Sequence, residues 1–115
     1  MFDFENLLVY QKAKSFNQEV YSSIYSDKTI DRIIANQLRR AALSVPLNIA
    51  EGTSRFSKAD RKNFYIISRG SVFECVAAFD ILKGEEKIQA RKYTSLYGKA
   101  DEISKMLYSM IKSLS

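Results

Sequence analysis

Apolar residues in this chain recur at steps of three and four through successive stretches, a period that fits helices and little else. Val9, Ala13, Phe16, Val20 and Ile24 form one such seam. Ile34, Leu38, Ala41, Ala42, Val45 and Ile49 share a face of a second stretch, at about 100° per residue. Leu96, Ala100, Ile103, Leu107, Met110 and Leu114 alternate fours and threes in the last, the seam of a bundle. One proline and four glycines supply few of the turns that an all-β fold needs.

The expected fold is therefore all-α, a single domain over residues 1–115 with helices at about 6–25, 30–51, 58–83 and 89–114. Short connections make consecutive helices antiparallel neighbours, an up-down-up-down four-helix bundle. Asp27 or Thr29 is the N-cap candidate of the second helix. Ser57-Lys-Ala-Asp60 opens the third with a capping box. Gly52 and Gly84 are the expected stops, Gly52 as a left-handed cap. Pro46 lies inside the second helix, where a missing N–H and a ring clash predict a kink.

On the third helix Phe64, Ile67, Cys75, Ala78 and Leu82 are the predicted core. Val72, Val76 and Phe79 lie well round the cylinder from them, and Ile66 and Phe73 face nearly opposite. A helix apolar on so much of its circumference needs cover on more than one side. In a four-helix monomer each helix keeps an outer face in water, so the surplus predicts a homo-oligomer.

Composition narrows the function classes. Seven Phe, seven Tyr and 46% hydrophobic content suit a chain that folds around one core. The lone Cys75 permits no internal disulfide and points to a reducing cytoplasm. The N-terminus shows no secretory signal, and no apolar run approaches the ~20 residues of a membrane span. No cofactor or metal is expected. There is no histidine, which removes the commonest general base and the Glu-x-x-His motif of di-metal bundles. The glycines are isolated and form no phosphate-binding loop. Cys75 falls on the apolar side of its helix and reads as a packed small hydrophobe. No catalytic residue is named, and the chain is read as non-enzymatic.

The formal charge of +5 is localised. Between Arg39 and Arg69 lie seven basic residues and two acidic ones, while elsewhere eleven of each cancel. Arg39, Arg55, Lys58, Arg61, Lys62 and Arg69 are the candidate nucleic-acid contacts. Long cationic side chains suffice for phosphate, and Phe56 and Tyr65 are available to stack on unpaired bases. The other reading is a protein-interaction scaffold, or accessory subunit, that makes no direct nucleic-acid contact.

Gln37-Leu-Arg-Arg-Ala-Ala-Leu-Ser-Val-Pro-Leu-Asn-Ile-Ala-Glu-Gly52, Ser57-Lys-Ala-Asp60 and Arg69-Gly-Ser-Val-Phe-Glu74 carry a resemblance over nearly the whole chain. With the opening Leu-Val-Tyr-Gln-Lys-Ala13, where Tyr10 stands in place of the usual Trp, the chain resembles the four-helix-bundle family of 23S rRNA intervening-sequence proteins, also labelled ribosomal-protein-like. The resemblance implies a cytoplasmic bacterial protein forming a ring-like homopentamer of antiparallel bundles, with founding members encoded inside insertions in ribosomal RNA genes. It also implies a distant relation to basic accessory proteins of diversity-generating retroelements, whose partners are nucleic acid and a reverse transcriptase. Arg40, Asn48, Glu51, Ser71 and Glu74 match its motif positions. They are expected to form a partly buried polar network between the second and third helices, with Arg40 to Glu74 as an ion pair and Gly70 allowing close backbone approach.

Overall fold

The computed structural model describes residues 1–115, which form four α-helices and no strand. They are α1 (Leu8–Val20), α2 (Arg32–Thr53), α3 (Lys58–Gly84) and α4 (Ala90–Ser113). A 3-10 turn, Asp3–Asn6, precedes α1, and a π-helical turn, Tyr21–Tyr25, prolongs it. The molecule measures 44 × 25 × 21 Å.

Neighbouring helices are tied by cross-contacts whose numbers rise on one helix as they fall on the other. Lys12 pairs with Glu102 at 3.0 Å, while Glu19 takes Ser95 at 3.1 Å and an ion pair from Lys99. Ser44 meets Ser71, and the Val45 carbonyl meets Ser68. The core contains every predicted seam residue of the first helix, Val9, Ala13, Phe16, Val20 and Ile24. It also holds Leu38, Ala41, Ala42, Val45 and Ile49 from α2 and Leu96, Ala100, Ile103 and Leu107 from α4. Phe16 and Phe79 meet edge to face at its centre, centroids 6.1 Å apart.

The start of α2 differs from expectation. Asp31, not Asp27 or Thr29, caps it, accepting from Ile33 N at 2.8 Å. Asp27 instead holds its own turn, accepting from Thr29 N and Oγ1, and these bonds lower its pKa. Arg32 donates to the carbonyls of Tyr25, Asp27 and Ile30, which fixes this segment as a turn and moves the helix start beyond Ile30.

Gly84 ends α3 as predicted, but Gly52 plays another part. Gly52 is helical without positive φ, and α2 runs past it to Thr53. Its lack of a side chain serves proximity: a Cβ there would stand 2.6 Å from Tyr65 Cε1. Gly84 ends α3 without adopting the left-handed conformation, which falls to Glu86 at φ 57°. Pro46 is buried inside an unbroken α2.

The buried stripe of α3 is turned by roughly 60° from the predicted one. It comprises Tyr65, Ser68, Val72, Cys75, Phe79 and Leu82. Phe64 and Ala78 are half-buried and Ile67 is exposed, so of the predicted set only Cys75 and Leu82 are fully buried. Two anchors fix this rotation: Tyr65 fills the slot left by Gly52, and the Ser68 hydroxyl donates to the Val45 carbonyl at 2.9 Å. Val72 and Phe79, read as surplus, therefore belong to the core, while Ile66, Ile67, Phe73 and Ile81 stay in solvent.

Candidate nucleic-acid interface

The α2–α3 connection is built by its own cations. Arg55 pairs with Glu51 at 3.1 Å, one helical turn back, and lays its guanidinium over the Phe64 ring at 4.6 Å. Its Nε is shielded from solvent and has no partner. Arg61 Nε donates to the Arg55 carbonyl at 2.7 Å, closing the turn from the α3 side. Ser57 caps α3 by accepting from Asp60 N at 3.1 Å. Two of the predicted phosphate contacts thus also hold the loop together.

Lys58 and Lys62 stand on the first turns of α3 without an ion pair or a hydrogen bond, Lys58 exposed and Lys62 partly buried. Phe56 projects from the loop completely exposed. Tyr65, the other predicted stacking residue, is buried against Gly52 and cannot meet a base. Burial also raises its phenol pKa, partly countered by Arg61.

Arg39 and Arg69 lie apart from this group. The sequence places Arg39 opposite the buried face of α2, but it is half-buried against the end of the first helix. There it donates to Asn17 Oδ1 at 3.3 Å and lies over the Tyr21 ring at 4.8 Å. The π-helical turn, which no sequence signal announced, stacks Tyr21 and Tyr25 at 5.7 Å and presents them to Arg39. Arg69 sits on the α4 side, over Phe73 at 4.7 Å and Tyr108 at 5.5 Å, with Nε 3.4 Å from the Ser104 carbonyl. The six cations therefore form one group of four at a single turn and two outliers on separate flanks.

The polar network between α2 and α3 is smaller than expected and centred elsewhere. Ser44 is its hub: Asn48 Nδ2 donates to the Ser44 hydroxyl and carbonyl at 2.8 and 2.9 Å, and Ser71 Oγ lies 2.8 Å from Ser44 Oγ. Asn48 and Ser71 belong to it. Arg40, Glu51 and Glu74 are exposed, and no ion pair joins Arg40 to Glu74 within the subunit. Gly70 is exposed too, with nothing within 4 Å of an added Cβ, so it serves no close approach inside the subunit. Ser44 sits one helical turn from Asn48, on the polar strip of Gln37, Arg40, Ser44, Asn48 and Glu51 that the sequence places along one edge of the apolar face of α2.

Elsewhere the chemistry is quiet. Cys75 is fully buried, and desolvation pushes its thiol pKa up to about 12, so the reactive thiolate is suppressed at neutral pH. No three His, Cys, Asp or Glu side chains converge as a metal site. No helix is long and apolar enough to cross a membrane.

Fold and surface together define a class: a small all-helical protein with four helices, an inert buried thiol and a basic helix–helix turn. The chain belongs to the 23S rRNA-intervening sequence protein family, whose model matches residues 5–109. It is similar to a crystal structure of a protein of unknown function from the S23 ribosomal protein family of Bacteroides thetaiotaomicron. That likeness has 26% identity and a TM-score of 0.85 over 91% of this chain and 99% of the other. No curated protein matches the sequence.

Proposed function

We propose that this chain is a non-catalytic subunit of a homo-oligomer, an antiparallel up-down-up-down bundle that binds RNA or DNA in the bacterial cytoplasm. The observation that carries the nucleic-acid reading is the α2–α3 turn. Lys58 and Lys62, without ion-pair partners, flank Arg55, Arg61 and a fully solvent-exposed Phe56 within the stretch that holds all the excess charge. Cations beside a free aromatic ring suit phosphates and an unpaired base. The falling-and-rising cross-contacts support the antiparallel arrangement, and the exposed Ile66, Phe73 and Ile81 support self-association. The family resemblance implies five copies in a ring. Each added copy repeats the same basic turn, and linked weak sites gain ~10²–10⁴ in avidity.

Lys58→Glu with Lys62→Glu is the deciding variant, because neither lysine holds the turn. Binding to single-stranded RNA should fall steeply with salt in the unchanged protein. The double reversal should weaken it at least about tenfold at low salt and flatten the salt slope. Equal binding by both proteins would remove this surface from the account.

A protein-interaction scaffold is the second reading, favoured by the inward engagement of Arg39 and Arg69. It gains if RNA is not retained at low salt while the assembly persists.

A further inference from the structure

The first two helices share a stretch without carboxylates. No Asp or Glu occurs from Asn6 to Gln18 or from Arg32 to Ala50, while these stretches carry Lys12, Lys14, Arg32, Arg39 and Arg40. Arg39 bonds Asn17 at 3.3 Å and Arg32 lies over the Tyr25 ring at 5.4 Å, which sets the two stretches side by side. Lys12 turns to α4 and pairs with Glu102, and Arg32 is engaged by the turn before α2. Lys14 and Arg40 remain, both exposed and neither in an ion pair. Arg39, half-buried, holds a third charge at the seam between the helices. A chain of phosphates crossing this face meets cations and no carboxylate from either helix.

Beside Lys14 lies a recess of about 450 Å³ between the 3-10 turn and α1, with Phe4, Tyr10, Gln11 and Gln18 around it. Tyr10, Lys14 and Gln18 follow one another at steps of four on the outer side of α1. Phe4 meets Tyr10 edge to face at 4.7 Å, and Gln11 Nε2 donates to the Glu5 carbonyl at 3.1 Å, which together fix the turn against the helix. Glu5, the one carboxylate at the rim, accepts from the Phe2 N–H at 3.1 Å. An aromatic ring, two side-chain amides and an unpaired lysine around a hollow are the groups that hold an unpaired base, by stacking, edge hydrogen bonds and a phosphate contact. A duplex keeps its bases stacked inside and offers none to the recess. An acidic peptide would meet the cations but leave the ring without a stacking partner.

We propose that the α1–α2 face is a second nucleic-acid surface, selective for unpaired strands: a base enters the recess against Tyr10, and phosphates beside it lie on Lys14 and Arg40. The inference goes beyond the reading of the α2–α3 turn and uses none of that turn's residues. It also uses none of the apolar outer side of α3.

The chain has no tryptophan, so Tyr10→Trp places a single fluorophore at the recess. Titration with a U-rich single-stranded RNA should quench it, and a duplex of the same length should not. Lys14→Glu with Arg40→Glu, both at exposed positions, should weaken single-strand binding at least about fivefold at low salt and lower the salt slope by about 1. RNA that binds through Lys58 and Lys62, leaves the fluorophore unquenched and binds equally to the Lys14–Arg40 reversal would overturn the α1–α2 surface and leave the turn standing. Binding lost only in the Lys14–Arg40 reversal would uphold this surface and remove the turn. Equal quenching by polyglutamate would overturn the assignment to nucleic acid. RNA that is not retained at all would overturn both surfaces.

Discussion

Gly52 and Tyr65 interlock: a methyl group built on Gly52 would press within 2.6 Å of the Tyr65 ring edge and within 3.2 Å of Cζ. The ring is held in the core by its own helix, so it cannot swing clear as a long flexible side chain could. This contact, with the Ser68 hydroxyl on the Val45 carbonyl, sets how α3 is rotated against α2.

Gly52→Ala is accordingly expected to destabilise the protein by about 1–3 kcal/mol through overpacking, despite alanine's better helix propensity. Gly98→Ala, with open space at its added Cβ, should stabilise by up to about 1 kcal/mol. Urea unfolding of the two variants should move the midpoints in opposite directions. Two shifts of the same sign would show that the close contact carries no energetic weight.

Removing the Ser68 hydroxyl tests the second anchor. Ser68→Ala should cost about 1 kcal/mol, the net worth of one buried hydrogen bond. Arg40→Ala and Glu74→Gln, exposed and unpaired in the subunit, should each change subunit stability by under about 0.5 kcal/mol. Thermal melts of the three variants check the ranking. A large loss at Glu74 would restore the buried ion pair that the fold lacks.

The cations should divide by role. Arg39→Ala removes a stack on Tyr21 and a bond to Asn17 and should cost about 1 kcal/mol of stability. Lys58→Ala should be close to neutral in stability and should lower RNA affinity instead. Chemical denaturation alongside an RNA titration separates the two. Arg39 without effect on either would mean that its contacts are incidental.

Cys75 gives a pH signature. Its thiol is pushed up to about 12 when folded, so folded and unfolded chains are both largely protonated below about pH 8 and the group contributes little pH dependence there. Above that pH the unfolded thiol ionises while the folded one does not, so stability falls as pH rises towards 12. Stability measured against Cys75→Ala should be parallel below about pH 8 and drop faster for the unchanged protein above it. The native thiol should also resist alkylation at pH 8. Rapid native alkylation would contradict the burial.

What the sequence made legible follows from periodicity. The seams of the first, second and last helices could be read because their apolar residues fall in one narrow stripe, flanked by charge. The third helix could not be phased in this way, because Ile66, Ile67, Phe73 and Ile81 add apolar residues on its outer side and pull the apparent stripe away from the true one. Its phase is set by Gly52 and Ser68, two small residues whose part depends on what lies opposite. The basic turn was visible as local charge. That Arg55 and Arg61 build it while Lys58 and Lys62 remain unpaired depends on hydrogen bonds to a backbone carbonyl and to Glu51, which spacing does not encode. Arg39 was misplaced for a similar reason: its partners lie on another helix, in a π-helical turn.

Sedimentation velocity at micromolar concentration tests the central claim most directly. The account predicts a species of several times the 13.2 kDa chain mass. A compact, folded species of 13.2 kDa that does not grow with concentration would contradict it, leaving the apolar outer face of α3 without a purpose in assembly.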